Sequence, residues 1–262
     1  MADKHNESNR KVWNEIVSIH YDHPDYKLQE FLDGWNSLKQ IEKNALSDVN
    51  GKSLLHLMCQ FGMDTLSWAR LGANVTGVDI SDQSIEYADK LKIAANYPNA
   101  QFVRSDICDL IGKIDQKFDF IFQSHGTHCW FEDLEKWAEV IAHYLKPGGT
   151  FLIVDGHPIG DLLLYPDELS YFHKGPYKEK GCPDYCDREY KIKNESVEWM
   201  HKISDFINVM IKAGLTVVEM QEYNHSFYDV KGDWIQEGDY WYPPEGKPKY
   251  PLMFSLKVVK QP

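Results

Sequence analysis

Residues 53 to 81 read SLLHLMCQFGMDTLSWARLGANVTGVDIS, and this stretch decides the fold. The apolar run Leu54, Leu55, Leu57, Met58 predicts a buried strand, and a tight turn follows it, ending at Gly62. Residues 64–71 carry helical spacing, with Asp64 as a candidate N-cap. A second apolar run, Val75 to Val78, ends in Asp79. Strand, turn, helix and strand with an acid after the second strand form a unit that seats a nucleotide-like ligand over the turn. The acid then lies within reach of ribose hydroxyls.

The same alternation continues outward. Strands are predicted at 101–104, 118–123 and 150–154, with helices at 83–95 (capped by Ser81) and 134–145. Lys146-Pro147-Gly148-Gly149 stops the second of these helices. A helix at 202–213 with Gly214 behind it, a strand at 215–222 and a last strand near 252–259 complete the pattern. Strands alternating with amphipathic helices predict a parallel sheet covered on both faces. Ahead of it, residues 6–47 read as short helices, punctuated by His23-Pro24 and Asp33-Gly34. The expected organisation is a helical N-terminal arm over 1–50 and one domain over 51–262. Residues 156–196, rich in Gly, Pro and Tyr, form an insertion too long for a plain connection and read as a lid. A second aromatic, Pro-rich loop spans Trp234 to Pro251.

Composition narrows the partners. The 262 residues carry 28 Lys plus Arg against 40 Asp plus Glu, a formal charge of −12. No basic run offers a phosphate-neutralising stripe, so neither a nucleic acid nor an anionic membrane is an expected partner. No apolar stretch reaches the roughly 20 residues of a membrane span, and the polar start MADKHNESNRKVW lacks a signal-peptide core. Five cysteines, odd in number and mostly scattered, suit a reducing cytoplasm. Cys182 and Cys186 alone cannot complete a tetrahedral zinc site; a nearby His173 leaves structural zinc as the minor alternative, and no metal is expected.

The pattern resembles the class I S-adenosylmethionine-dependent methyltransferases. Where that family has Asp/Glu-x-Gly-x-Gly-x-Gly, this chain has His56-Leu57-Met58-Cys59-Gln60-Phe61-Gly62, keeping only the last glycine. It is also similar to a bacterial branch with Leu-x-Cys-x-x-Gly-x-Asp-Thr, matched by Leu57, Cys59, Gly62, Asp64 and Thr65, and with Asn-x-x-x-Trp, matched by Asn9 and Trp13. The resemblance implies a Rossmann-like, doubly wound, seven-stranded sheet whose last strand is antiparallel. It implies S-adenosylmethionine as cofactor, with Asp79 on the ribose hydroxyls and Asp106 near the adenine amine. Cys59, Gln60, Gly62, Ile80, Ile107, Gln123 and Ser124 are the further expected cofactor neighbours. Met58 and Gln60 bring side chains into a turn built for glycine. Either Gln60 substitutes as a hydrogen-bonding group or the pocket is lost.

Methyl transfer mainly requires that the acceptor be held in line with the methyl group. A base is needed only for an acceptor that keeps its proton. His125 and His128, directly after the fourth strand, are the candidate bases; a helix cap or loop hydrogen bond is the plain alternative for each. Trp130, His157, Trp199 and His201 are the candidate acceptor-binding residues. The expected function is methyl transfer to a small, partly apolar organic acceptor, with a homodimer as a conceivable assembly. The rivals are a non-catalytic module that binds the cofactor or its demethylated product, a nicotinamide oxidoreductase, and a protein methyltransferase.

Overall fold

A computed structural model describes residues 2–164, 170–229, 232–246 and 250–262. The arm holds α1 (Ala2–Asp22), a short 3-10 turn (Pro24–Tyr26), α2 (Leu28–Leu32) and α3 (Gln40–Ala45). The alternating part follows as β1 (Ser53–Leu57), α4 (Met63–Arg70), β2 (Asn74–Asp79), α5 (Asp82–Ala94), β3 (Gln101–Arg104), β4 (Phe118–Ser124), α6 (Leu134–Tyr144) and β5 (Leu145–Gly156). Then come α7 (Pro158–Leu164), β6 (Pro176–Lys180), β7 (Glu195–Trp199), α8 (Ile203–Lys212), β8 (Leu215–Tyr223), β9 (Ile235–Glu237), β10 (Tyr240–Tyr242) and β11 (Met253–Lys260).

Seven strands make the main sheet in the order β3-β2-β1-β4-β5-β11-β8. The strands β1 to β5 pair in parallel, while β11 runs antiparallel to both β5 and β8. The expected seven-stranded architecture with an antiparallel last strand is therefore present. Because successive side chains alternate across a strand, the sheet feeds two cores. Leu55, Leu57, Ile121, Phe151 and Ile153 pack beneath α6 and α8. Leu54, Val75, Phe122, Leu152 and Val154 pack beneath α4 and the arm. Strand order reverses between β1 and β4, so a crevice opens at their carboxyl ends, where ligands bind in open α/β sheets.

Several local expectations are corrected. The N-cap of α4 is Gly62, at φ 79°, and Asp64 lies in the first turn instead. Its carboxylate accepts hydrogen bonds from Ser37 and Ser124 hydroxyls, which ties the arm to the end of β4. Strand β5 begins at Leu145 rather than at 150, because Leu145 already pairs with Phe118 before an irregularity in β4. Gly149 sits there against three carbonyl oxygens that a Cβ would meet at 2.9–3.1 Å. The 156–196 segment contains β6 and leads into β7, which closes a hairpin with it, and the second aromatic loop contains the β9–β10 hairpin. Strands this short leave too little alternation to read. Residues 165–169 of the first loop, with Tyr165, and residues 230–231 and 247–249 lie outside the described residues. No described helix is long and apolar enough to cross a membrane.

Candidate active site

The turn after β1 has an unusual backbone. Met58 (φ 56°), Gln60 (φ 51°) and Gly62 (φ 79°) all take the left-handed region. An L side chain costs about 1–2 kcal/mol there, so the turn must be held from outside. The Cys59 N–H donates to the Val78 carbonyl at 3.0 Å, and the Gln60 N–H donates to Oδ2 of Asp79 at 2.9 Å. Both side chains are engaged elsewhere in the fold. Met58 packs against the core under α6 and α8. The Gln60 amide nitrogen lies 2.9 Å from His20 Nδ1 and 3.2 Å from the Tyr26 hydroxyl. The turn keeps the backbone course that glycines would permit. At Gly62 a Cβ would lie 2.5 Å from the Phe102 ring, so a side chain is excluded there.

Asp79 ends β2 and is 8% exposed. Burial pushes its pKa up to about 6, against the pull of the Ser81, Gln60 and Ile80 N–H groups. Those donors leave the carboxylate under-solvated, and further hydroxyl donors would favour its charged form. Ser81 caps α5, accepting from the Ser84 N–H at 3.0 Å, so Asp79 is not needed as a cap. After β3, Asp106 accepts from the Cys108 N–H at 2.8 Å and from the Asn6 amide. Burial raises its pKa as well. Cys59 and Ile107 are buried beside these turns.

Helix α1 lies across the crevice. Asn9 bonds both the N–H and the carbonyl of Val197 in β7, each at 2.8 Å, so helix and hairpin form one cover. Asn6 reaches Asp106, while Asn14 reaches Ser81 and Asp82. The ring of Trp13 meets Trp130 edge-on at 5.5 Å. Further along, fully buried His20 places Nε2 2.8 Å from Asp184. His20, Asp184 and Cys186 are metal-ligand types, and their ligand atoms lie within 4.8 Å of one another. Both His20 nitrogens already have partners, and Asp184 also accepts from the Cys186 and Asp187 N–H groups. The cluster thus pins α1 to the 180s loop beside Gln60. The cysteine brought here is Cys186, without Cys182 or His173.

The end of β4 divides its candidates between the two faces. Gln123 is fully buried on the α6 side, bonded to Thr127 and to the Trp137 indole at 3.0 Å. Ser124 faces Asp64 at 3.3 Å. His125 takes a left-handed φ of 48° and places Nε2 3.0 Å from Oε1 of buried Glu42 in α3. His128 lies among Phe206 and Phe254, 3.5 Å from Asp155. Asp155 ends β5 fully buried and gathers the N–H groups of Gly126, Thr127, His128 and Gly156 and the Thr127 hydroxyl. Burial opposes its charge, but His128 and these donors win and hold its carboxyl well below the usual range.

The remaining acceptor candidates are held apart. His157 pairs with Glu222 at 3.0 Å, and His201 Nε2 lies 2.6 Å from the Phe131 carbonyl. Burial pushes the His201 pKa down to about 4. The Trp199 ring contacts His5 at 5.5 Å. Two residues of this region went unread in the sequence. Asp155 carries the same signal as Asp79, an acid closing a buried strand. Glu42 carries none, being a single acid inside an apolar stripe of the arm.

Residues 55–153 match the family model of a methyltransferase domain. The demethylmenaquinone methyltransferase of Chlorobaculum parvum is 26% identical over 220 residues, covering 82% of this chain and 88% of that enzyme. The fatty-acid O-methyltransferase of Mycolicibacterium smegmatis is 29% identical over 120 residues, 45% of this chain. The chain matches only 42% of that enzyme's length. Among solved structures, an S-adenosylmethionine-dependent methyltransferase from Mesorhizobium loti superposes with a TM-score of 0.58 at 19% identity. That match covers 87% of this chain and 99% of the other.

Proposed function

We propose that this chain, whose residues 55–153 are a methyltransferase domain on the fold of the S-adenosylmethionine-dependent class, transfers a methyl group from S-adenosylmethionine to a small organic acceptor. The observation that carries this reading is the coupled geometry of Gln60 and Asp79. The left-handed turn survives without its first two glycines, and its Gln60 N–H is held on a buried, under-solvated carboxylate. That is the chemistry a ribose diol satisfies.

In this reading Asp79 accepts the ribose hydroxyls, and the turn 58–62 lies along the methionine end. Asp106 meets the adenine amine where the Asn6 amide now stands. Cys59, Ile80, Ile107 and Ser124 are the remaining cofactor neighbours. Gln123 contributes through its backbone, since its side chain is committed to Trp137. The sulfonium of the cofactor supplies an activated methyl carbon. The protein's own task is to exclude water and to aim the acceptor, which α1, the 180s loop and the arm do by covering the crevice. Trp13 and Trp130 are candidates for its aromatic wall. A crevice covered this way suits a small acceptor better than a polymer, and the charge of −12 argues against anionic ones. A cytoplasmic site of action and a homodimer complete the reading. His128, His157 and His201 serve as packing and loop-anchoring groups, leaving His125 as the candidate base.

A thermal shift with S-adenosylmethionine, S-adenosylhomocysteine and NAD tests the cofactor. A ligand at 100 times its Kd adds about 2.7 kcal/mol, and for a domain of this size each kcal/mol moves the midpoint roughly 2–4 °C. A rise of several degrees with the two sulfur ligands alone is expected. A response to NAD instead, or none to the sulfur ligands, would overturn the reading. Binding without turnover over a broad acceptor panel would favour the non-catalytic module.

A further inference from the structure

Glu42 is a carboxylate in a place that gives it little in return. It is 1% exposed, and neither of its oxygens accepts a hydrogen bond of good geometry from a described residue. A buried carboxylate is retained only when something compensates its lost hydration. Among the described residues its one charge partner is His125, whose Nε2 lies 3.0 Å from Oε1. The pair is brought together from the arm and from the residue after β4, at the carboxyl edge of the sheet.

His125 is held as firmly as the carboxylate is buried. Its φ of 48° is strained for a side chain of this size. The strain is maintained by its N–H on the Val154 carbonyl at 3.0 Å and by Asp155, which anchors the next three N–H groups. The ring stacks on Phe227 with centroids 4.5 Å apart. Nε2 is sealed from solvent, yet the side chain as a whole keeps 17% exposure, so the open part of the ring is the rest, which carries Nδ1. Nδ1 makes no hydrogen bond to a described residue. The contact falls outside hydrogen-bond angles, but a carboxylate charge 3.0 Å from Nε2 favours the tautomer that carries its proton on that nitrogen, which leaves Nδ1 with its lone pair outward. The other titratable groups around the pair are His56 on β1, Tyr223 on β8 and Tyr240 on β10, each coupled to Glu42 or His125 electrostatically.

We propose that Glu42 is the positioning residue for His125, and that His125 accepts the proton of a hydroxyl-bearing aromatic acceptor, so that the reaction is O-methylation of a phenol. This rests on the site being that of an S-adenosylmethionine-dependent transferase. A phenol, with an ordinary pKa near ~10, keeps its proton at neutral pH and gains from a base. The acceptor O–H bond breaks and its proton passes to Nδ1. The oxygen's electron pair forms the new O–CH3 bond as the methyl–sulfur bond breaks, and that bond's electrons stay on sulfur. The imidazolium left behind is balanced by the Glu42 carboxylate. The ring of the acceptor has Phe227 and Tyr240 as aromatic neighbours.

The test is the ring 15N spectrum of histidine-labelled protein, with the His125 signals assigned by loss in His125→Gln. In the free wild-type protein, the neutral ring is expected as the Nε2–H tautomer. Glu42→Gln should turn this into a mixture, while Glu42→Asp should restore the single tautomer. With S-adenosylhomocysteine present, phenol should shift Nδ1 saturably, benzylamine should not, and Glu42→Gln should weaken the phenol response at least tenfold. A wild-type ring protonated on Nδ1 overturns the proposal, whatever the variants do. An unchanged tautomer and phenol response in Glu42→Gln overturns it too. Calorimetry of S-adenosylhomocysteine on the same samples keeps the two readings apart: lost binding in the wild type strikes the cofactor reading, and retained binding with an indifferent His125 strikes this one.

Discussion

The backbone N–H of Gln60 donates to Oδ2 of Asp79 at 2.9 Å, across 19 residues of sequence. One hydrogen bond thereby joins the turn after β1 to the acid after β2. It holds a non-glycine residue in a left-handed conformation and also supplies part of what a buried carboxylate needs.

That coupling predicts how position 60 tolerates change. Gln60→Gly loses the contacts to His20 and Tyr26 but relieves the backbone, so stability should change by no more than about 1 kcal/mol. Gln60→Val puts a β-branched residue at φ 51° and should cost about 2 kcal/mol more than the glycine variant. Urea unfolding of the two variants compares them, and equal midpoints would remove the strain argument.

Cofactor affinity should follow the ionisation of Asp79. Its folded pKa is raised to about 6 by burial, so folding favours its protonated form. The associated stability, about 3 kcal/mol at most, is full below pH ~4 and is lost as pH rises to about 6. Ribose hydroxyls donate to the charged form, so binding should weaken about tenfold per pH unit below about 6. Calorimetry with S-adenosylhomocysteine from pH 5 to 8 reads this directly. A flat affinity would detach Asp79 from the ligand.

Acid should destabilise the protein through two histidines. Burial pushes His56 and His201 down to about 4 from an ordinary 6.5. The unfolded chain therefore takes up protons first as pH falls, and stability is lost between about 6.5 and 4, by up to about 3 kcal/mol per residue. Over pH 4–6 Asp79 contributes the opposite slope, and the two histidines together outweigh it. His201→Gln, which keeps a donor for the Phe131 carbonyl, should flatten the acid limb of urea midpoints measured from pH 4.5 to 7. Parallel curves would count against it.

The loop after β4 should depend on one carboxylate. Asp155→Ala leaves four N–H groups and the Thr127 hydroxyl without their acceptor. At about 1–3 kcal/mol for each buried donor left unsatisfied, the loss should reach at least about 3 kcal/mol. Hydrogen exchange at Gly126, Thr127 and His128 should accelerate before the rest of the sheet opens. Intact protection of those amides in a folded variant would refute the role.

Strand–helix alternation, the punctuation at Lys146-Pro147-Gly148-Gly149 and the acid closing β2 were legible in the chain itself, because hydrophobic periodicity and turn chemistry act over a few residues. They determined a parallel α/β sheet and the crevice at its carboxyl edge. The same local rules could not foresee the short β6–β7 and β9–β10 hairpins, where three to five residues carry too little pattern. Nor could they separate His125 from His128. Both follow β4, yet one meets Glu42 and the other packs beside Phe206 and Phe254. Gln123 and Ser124 are likewise adjacent in sequence and face opposite sides. Pairings such as His20 with Asp184, 164 residues apart, and Glu42 with His125 carry no local trace. A buried polar group's partner is set by which segments the closed fold brings within about 3 Å of each other, and that is decided only when the arm, the insertion and the sheet are packed together.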